Sequence, residues 1–467
     1  MASTRKSPPS NTLLARVSAV LGRHVRRGDR LVAGLSGGID SVVMLDVLRR
    51  AATKIGYELV ALHVNHQINP AAAKWARFCR EYCRRLDIPL TVVKVTVPRE
   101  ASLEAAARKA RYAAFAALPA DFIVLAHNLD DQAETMLLQL LRGAGVKGLS
   151  AMPELRAGHQ ESGREKNNAS ESGAGRNPAI LRPLLDIPRS EIEVYARSRQ
   201  LKWVEDDSNA DIRFDRNFLR HRLLPVVAER YPAYRKTLAR SSRNFGEAAA
   251  LLDELARIDT PAGLHGLSIA MLRAITPARA GNAVRFFLAA HGVTMPNESR
   301  LIECVRQAQQ PRAARIVIDL GTHELRGFSG ELRVVAKALA PPAADFCREW
   351  QGEARMRVPE LGATLVMKKC RGSGISLEKL GTAPVTVRVR EGGERLRPDV
   401  TRPRRSLKNL LQEARLAPWL RGRVPLLFCG DALVYVPGIG IDAGFQARRG
   451  EPAVAPEWEP ERGKIAA

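Results

Sequence analysis

Over the first 150 residues, short apolar runs alternate with longer segments whose apolar positions recur every three or four residues. The runs at 31–35, 57–64, 89–97 and 121–126 predict strands. Helical spacing predicts helices at 13–25, from about 40 onward, and over 71–86, 102–117 (with Ser102 as cap) and 130–142. Alternation of this kind implies an α/β fold with a doubly wound parallel sheet. Ligands of such sheets sit at the carboxyl ends of the strands, so 36–41, 63–66 and 127–131 should share one rim. Beyond about 226 the alternation stops. Residues 233–257 and 268–310 keep a helical period, with breaks near Pro261 and Pro296. Short strand patterns return over 345–455, among them 384–390 and 432–441. The expected organisation is a catalytic domain at 1–225, a mainly α-helical substrate-binding domain at 226–340, a small α+β C-terminal domain at 345–455 and a tail at 456–467. Residues 156–178 are polar and rich in Gly, Ser, Glu and Asn, the composition of a flexible insertion.

The candidate chemistry starts at the end of the first strand. Ser36, Gly37, Gly38, Ile39, Asp40 and Ser41 form a glycine turn into a helix. Two residues without Cβ, two hydroxyls and the unpaired N–H groups of a helix start together make a phosphate site. No Gly-Lys-Ser/Thr follows, so it is not a Walker A loop, and it does not match GxGxxG. In the stretch 127–143, spacing puts Asp131 and Glu134 on one helix face, with His127 just before the first turn. Ala133, Met136, Leu137 and Leu140 fall on another side and should pack on the sheet. The carboxylate pair is suited to a cationic amine or a metal ion; the plainer role for first-turn acids, above all Asp130, is capping. Glu104, Arg108 and Arg111 share one side of a helix, and Arg213, Arg216, Arg220, His221 and Arg222 form a basic run. Each set is either a site or a solvated face.

Charge changes the picture next. The 467 residues carry 73 Lys and Arg against 49 Asp and Glu, a net charge of +24, which points to a polyanionic partner and foremost to nucleic acid. Aromatic content of 5% gives no extended stacking platform for bases. The six cysteines include no CxxC and no zinc spacing, which suits reduced thiols in the cytoplasm. No run reaches the roughly 18 apolar residues of a membrane span. The first 28 residues are basic and free of acids, but 13–25 reads as a domain helix rather than a leader.

SGGIDS after an apolar strand resembles the pyrophosphate loop of the N-type ATP pyrophosphatases. With EAAARKARY (104–112), HNLDDQAET (127–135) and the stretches 182–201 and 206–225 in the same order, the chain resembles the tRNA(Ile)-lysidine synthetase family. That resemblance implies ATP and Mg²⁺ as cofactors. It implies adenylation of the C2 oxygen of the wobble cytidine in a CAU-anticodon tRNA(Ile), then attack by the ε-amine of free lysine with release of AMP. It assigns Ser36, Gly37, Gly38, Ile39, Asp40, Ser41 and His63 to the nucleotide and Asp40 to Mg²⁺. Asp40, His127, Asp131, Glu134, Arg108 and Arg111 fall to catalysis, and Asp40, His127 and the carboxylate pair are the candidates for taking the lysine proton. Arg213, Arg216 and Arg220, with Arg402, Arg404, Arg405 and Lys408, fall to tRNA. The C-terminal domain departs from the family at Gly393-Glu394-Arg395, where Gly-Asp-Arg is usual. A tRNA thiolase on the same scaffold is the rival enzyme, disfavoured because no cysteine follows either motif closely. A basic tRNA-binding protein with an inactive ATP site is the non-enzyme rival. A homodimer is left open.

Overall fold

The computed structural model describes residues 9–96, 103–158, 178–206, 210–261, 263, 265–310, 316–337, 343 and 345–460. The chain forms two compact units, Met1–Leu251 and Leu252–Ala467.

The first unit is built on a six-stranded sheet. In chain order its elements are α1 (Pro9–His24), β1 (Arg30–Gly34), α2 (Ile39–Ile55), β2 (Glu58–Asn65), α3 (Ala72–Leu86), β3 (Leu90–Lys94), α4 (Leu103–Ala116), β4 (Phe122–Val124) and α5 (Leu129–Leu141). These are followed by α6 (Val146–Leu149), β5 (Leu155–Arg156), β6 (Ala179–Leu181), α7 (Arg189–Ser198), α8 (Asp215–Phe218), a π-helical turn Leu219–Leu223, α9 (Leu224–Arg230) and α10 (Tyr234–Asp259). The strand order is β3-β2-β1-β4-β6-β5, parallel except for the edge strand β5. Strand order reverses between β1 and β4, the switch point where doubly wound sheets bind ligands.

Alternate side chains of each strand divide the core. Leu31, Ala33, Ala61, Val124 and Leu181 pack against α1, α2, α3 and α7. Val32, Val60, Ile123 and Ile180 face Phe115 and Tyr112 of α4. Ten residues of α2 are buried, among them Val42, Leu45 and Leu48; at roughly 1.5–3 kcal/mol for each large apolar side chain, this helix is anchored by its whole length. α5 departs from the expected packing: Ala133 and Leu137 meet Leu224, Tyr234 and Leu238 of α9 and α10 rather than the sheet, and Leu140 is exposed.

In the second unit, helices Ile269–Ala274, Pro277–Ala290 and Glu298–Gln309 share a core with a four-stranded antiparallel sheet from Leu267–Ser268 and 317–336. The helical spacing of 268–310 is realised; the sheet beside it, whose two longest strands are His323–Phe328 and Glu331–Ala336, is not among the expected elements. Further on, five strands including Val385–Arg388 and Leu426–Cys429 form one sheet, and Ala363–Arg371 pairs along its length with Pro452–Pro460 in another. Residues 456–460 are therefore not tail, since Ala363 opposes Pro460. Helix Leu407–Glu413 covers a second small core with Leu396, Leu426 and Val436. No helix among the described residues is long and apolar enough to cross a membrane.

Candidate active site

The turn after β1 is held by its own hydroxyls. Ser41 Oγ donates to Gly38 O (2.9 Å) and accepts from Gly37 N (3.2 Å), while Gly38 N donates to Ser36 Oγ (3.3 Å). Gly37 has φ +93°, and a Cβ there would stand 2.8 Å from Val204 Cγ2. Gly38, at φ −72°, caps α2 without a side chain and leaves the first-turn N–H groups open to an anion. Glycine is thus demanded by conformation at Gly37 and by access at Gly38. Val204 N donates to Gly37 O (3.0 Å), so residues after α7 close over the loop.

Beside this loop stands the start of α5. Its cap is Asn128, not Asp130: Asn128 Oδ1 accepts from Asp131 N (3.1 Å), and Asp131 Oδ2 accepts from Asn128 N (3.0 Å). Asn128 also donates from Nδ2 to Asp40 Oδ1 (3.1 Å), joining the loop to the helix. Burial raises the Asp40 carboxyl above the usual range, against the pull of Arg189.

Glu134 is 1% exposed and lies against Arg220, whose Nε and Nη2 donate to its two oxygens at 2.7 and 2.9 Å. The same Nη2 reaches Asp131 Oδ1 at 3.3 Å. Burial raises the Glu134 carboxyl and the guanidinium opposes it; the bidentate geometry keeps the pair ionised. Arg220 sits in the π-helical turn between α8 and α9, an insertion that often marks functional sites. Asp130 is drawn away from capping: its Oδ2 accepts from Arg189 N (2.9 Å), and its Oδ1 pairs with Arg235. A cavity of about 320 Å³ opens here, lined by both signs of charge: Asp130 and Glu134, with Arg189, Arg220 and Arg235.

Comparison with known proteins bears on this arrangement. A model of the PP-loop domain matches residues 10–227, the TilS substrate binding domain matches 267–333, and the TilS substrate C-terminal domain matches 385–458. The tRNA(Ile)-lysidine synthase of Nitrosomonas europaea is 46% identical over 444 residues, covering 93% of either chain. The chain belongs to the tRNA(Ile)-lysidine synthase family. The synthase of Coxiella burnetii is 39% identical over 88% of this chain and 89% of its own. Among solved structures, the U34-tRNA thiolase NcsA from Methanococcus maripaludis with its 4Fe-4S cluster aligns over 51% of this chain and 79% of its own, at 18% identity and a TM-score of 0.42.

In this synthase-family chain the loop, Asp40, His127, Asp131 and Glu134 come together at the β1/β4 rim. His63 is buried beneath it, its Nδ1–H donating to Leu35 O (2.9 Å), and burial lowers its pKa. His127 is pushed down to about 3 by burial and by Arg182, Arg111, Arg216 and Arg108. Its ring is neutral at neutral pH and only weakly basic, which favours the carboxylates over it as acceptors of the lysine proton. Arg108 and Arg111 flank the ring of Tyr112, the first at 5.4 Å from its centre. Glu104 lies on α4, but its side chain lies outside the described residues, as does Ser102.

The basic run divides. Arg216 turns inward to Thr135 Oγ1 (3.1 Å) and Arg220 to the carboxylates, while Arg213, paired with Asp211, and Arg222 are exposed. In the C-terminal cluster, Arg404 pairs with the fully buried Asp442 (3.2 Å) and Arg405 with Glu413, leaving Arg402 and Lys408 exposed without an acidic partner among the described residues. Glu394 Oε1 accepts from Glu391 N and Gly392 N, both at 2.6 Å, so the acid that replaces Asp organises its own turn. Sequence reasoning missed Asn128, Arg189, Arg235 and Val204. Only Asn128 carried a local signal, the Asn-x-x-Asp spacing of a capping box.

Proposed function

We propose that this chain ligates free lysine to C2 of the wobble cytidine in the CAU-anticodon tRNA(Ile), cleaving ATP to AMP and diphosphate in the cytoplasm. The observation that carries the reading is the meeting, at one switch point, of an anion loop and a cavity lined by both charge signs. ATP lies with its phosphates on the loop N–H groups and the start of α2. The cytidine C2 oxygen attacks the α-phosphate, and diphosphate leaves onto those N–H groups. The ε-amine of lysine then attacks C2, and AMP departs.

An amino acid carries a carboxylate and ammonium groups; the cavity offers Arg189 and Arg235 to the first and Glu134 to the second, with Asp131 joined to Glu134 through Arg220. Arg220 holds that carboxylate pair, so lysine competes with it, and a shift of the π turn frees the acids. Neutralising an amine of pKa about 10.4 near pH 7 costs roughly 4–5 kcal/mol. Glu134, raised by burial, is the group suited to accept that proton.

No cluster of three or more potential metal ligands exists among the described residues. One half-buried carboxylate beside a phosphate loop instead fits Mg²⁺, which takes most of its ligands from phosphates and water. Asp40 would hold it, and the bound ion would neutralise charge on the phosphates. The exposed Arg213, Arg402 and Lys408 suit tRNA backbone contacts, which position rather than specify. Thiolation is disfavoured: Cys79 and Cys83 of the first unit are buried, with thiols pushed up to about 12 and about 11, the opposite of an activated nucleophile.

The test is transfer of labelled lysine to a CAU-anticodon tRNA(Ile) transcript, with tRNA(Met) as control. Label entering only the isoleucine tRNA is the expected result; AMP formation without label would sink the lysine assignment. Asp131→Asn, whose amide oxygen can still accept from Asn128 N, raises the KM for lysine while leaving tRNA-dependent ATP–diphosphate exchange largely intact. Lost exchange with an unchanged KM would contradict the role given to Asp131.

A further inference from the structure

On the sheet face covered by α4, arginines gather around one tyrosine ring. The guanidinium carbons of Arg108, Arg111 and Arg156 lie 5.4, 5.9 and 5.0 Å from the centre of the Tyr112 ring. They come from two elements, α4 and the edge strand β5. Arg182, directly after β6, joins them. It is 2% exposed; Nη1 donates to Pro153 O (2.8 Å), and its enclosed Nε has no hydrogen-bond partner. Burial lowers the Arg182 pKa, Tyr112 beside it opposes that shift, and Arg156 and Arg108 lower it further. Burial acts to raise the Tyr112 phenol, yet Arg108, Arg182, Arg156 and Arg111 together bring it below the usual range. His127, under the field of the same arginines, has an enclosed Nδ1 with no partner. No carboxylate pairs with Arg108, Arg156 or Arg182 among the described residues.

Like charges held this close, one of them buried with an unused N–H, repel one another, and an anion placed among them relieves that repulsion. Guanidinium forks select phosphate oxygens. The nucleotide already has its own anion site at the start of α2, on the opposite face of the sheet. We propose that Arg108, Arg156 and Arg182, around Tyr112, bind a phosphodiester of the RNA substrate next to His127. Arg156 and Arg182 stand outside the motifs SGGIDS, EAAARKARY and HNLDDQAET, so the site extends the catalytic rim toward the sheet edge. A backbone phosphate fixed here positions the strand that carries the reacting nucleotide. The assignment rests on the reading that the chain acts on tRNA.

Arg156 is exposed, so its replacement leaves the core intact. The experiment compares full-length wild type, Arg156→Gln and Arg156→Lys. It measures binding of a tRNA(Ile) transcript across a salt series, and the KM for ATP. Arg156→Gln should weaken RNA binding about 3–10-fold and reduce the slope of log K against log salt by about one, with the KM for ATP unchanged. Arg156→Lys should keep the wild-type slope. A raised KM for ATP with an unchanged slope assigns the phosphate to the nucleotide and overturns the RNA assignment. No change in either overturns the site altogether. Wild type that binds no tRNA at any salt overturns the tRNA reading itself, an outcome separate from any difference between the variants.

Discussion

Asp40 carries a cost that is visible without any ligand. Burial raises its pKa above the unfolded value, so its contribution to stability is present below that value and is lost as pH rises through the folded one. Asp40→Asn keeps an acceptor for Asn128 and removes the half-buried charge. At pH 7, without substrates, the variant should melt about 2–4 °C higher, with no difference below pH ~3.8, while ligation is abolished. Scanning calorimetry at two pH values beside the transfer assay checks both halves. His127 has the opposite sign. Its pKa falls from 6.5 to about 3 on folding, so the unfolded chain binds a proton that the folded one refuses over that range. Stability is lost as pH falls through this window, by at most about 1.4 kcal/mol per pH unit. His127→Asn should flatten the acid limb of a urea-stability profile by up to that slope; an unchanged limb would mean that His127 titrates normally.

Among the elements, those governed by local pattern were legible. The alternation of 31–126 marked out β1 to β4, and the glycines with Asp40 marked the loop, because turn and cap chemistry are written within a few residues. α5 was legible as a helix but not in its surroundings. The partners of Ala133 and Leu137 come from α9 and α10, about a hundred residues on, and no period within 130–142 records them. The capture of Glu134 by Arg220 was hidden for the same reason: a basic run looks alike whether it faces solvent or a buried acid. Topology also recasts the polar stretch 156–178. It joins β5 to β6, which are antiparallel neighbours with Leu155 opposite Leu181. It is therefore the connection of a hairpin, and a short turn satisfies the same geometry. Replacing 159–177 by a four-residue Gly-Ser-Asn-Gly turn should leave Tm within about 2 °C and lysine transfer within about twofold of wild type; a large loss of transfer would give the segment a role in RNA binding.

For the molecule as a whole, the net charge of +24 gave the partner class but not its distribution. Many arginines are committed internally: Arg220 to Glu134, Arg235 to Asp130, Arg279 to Asp259, Arg404 to Asp442. Such pairs contribute little to the pull on RNA, so counting basic residues overstates the contacts. Binding of tRNA should still weaken steeply with salt, at about one counterion released for each phosphate contacted. A slope near zero between 50 and 200 mM salt would contradict an electrostatic role for the excess charge.

The π-helical turn at Leu219–Leu223 has a consequence for chain length. A π turn is an α-helix that has taken in one extra residue. Delete one codon there and the turn heals to ordinary α-helix: the flanking helices keep their bearing, because the wide turn had absorbed the extra residue, but the side chains within the turn, Arg220 among them, are re-aimed. Glu134 and the side chain meant to neutralise it would then stand on different bearings. The number of residues in this turn is thus as much a part of the site as their kind, and a gap in it is as harmful as the loss of Arg220.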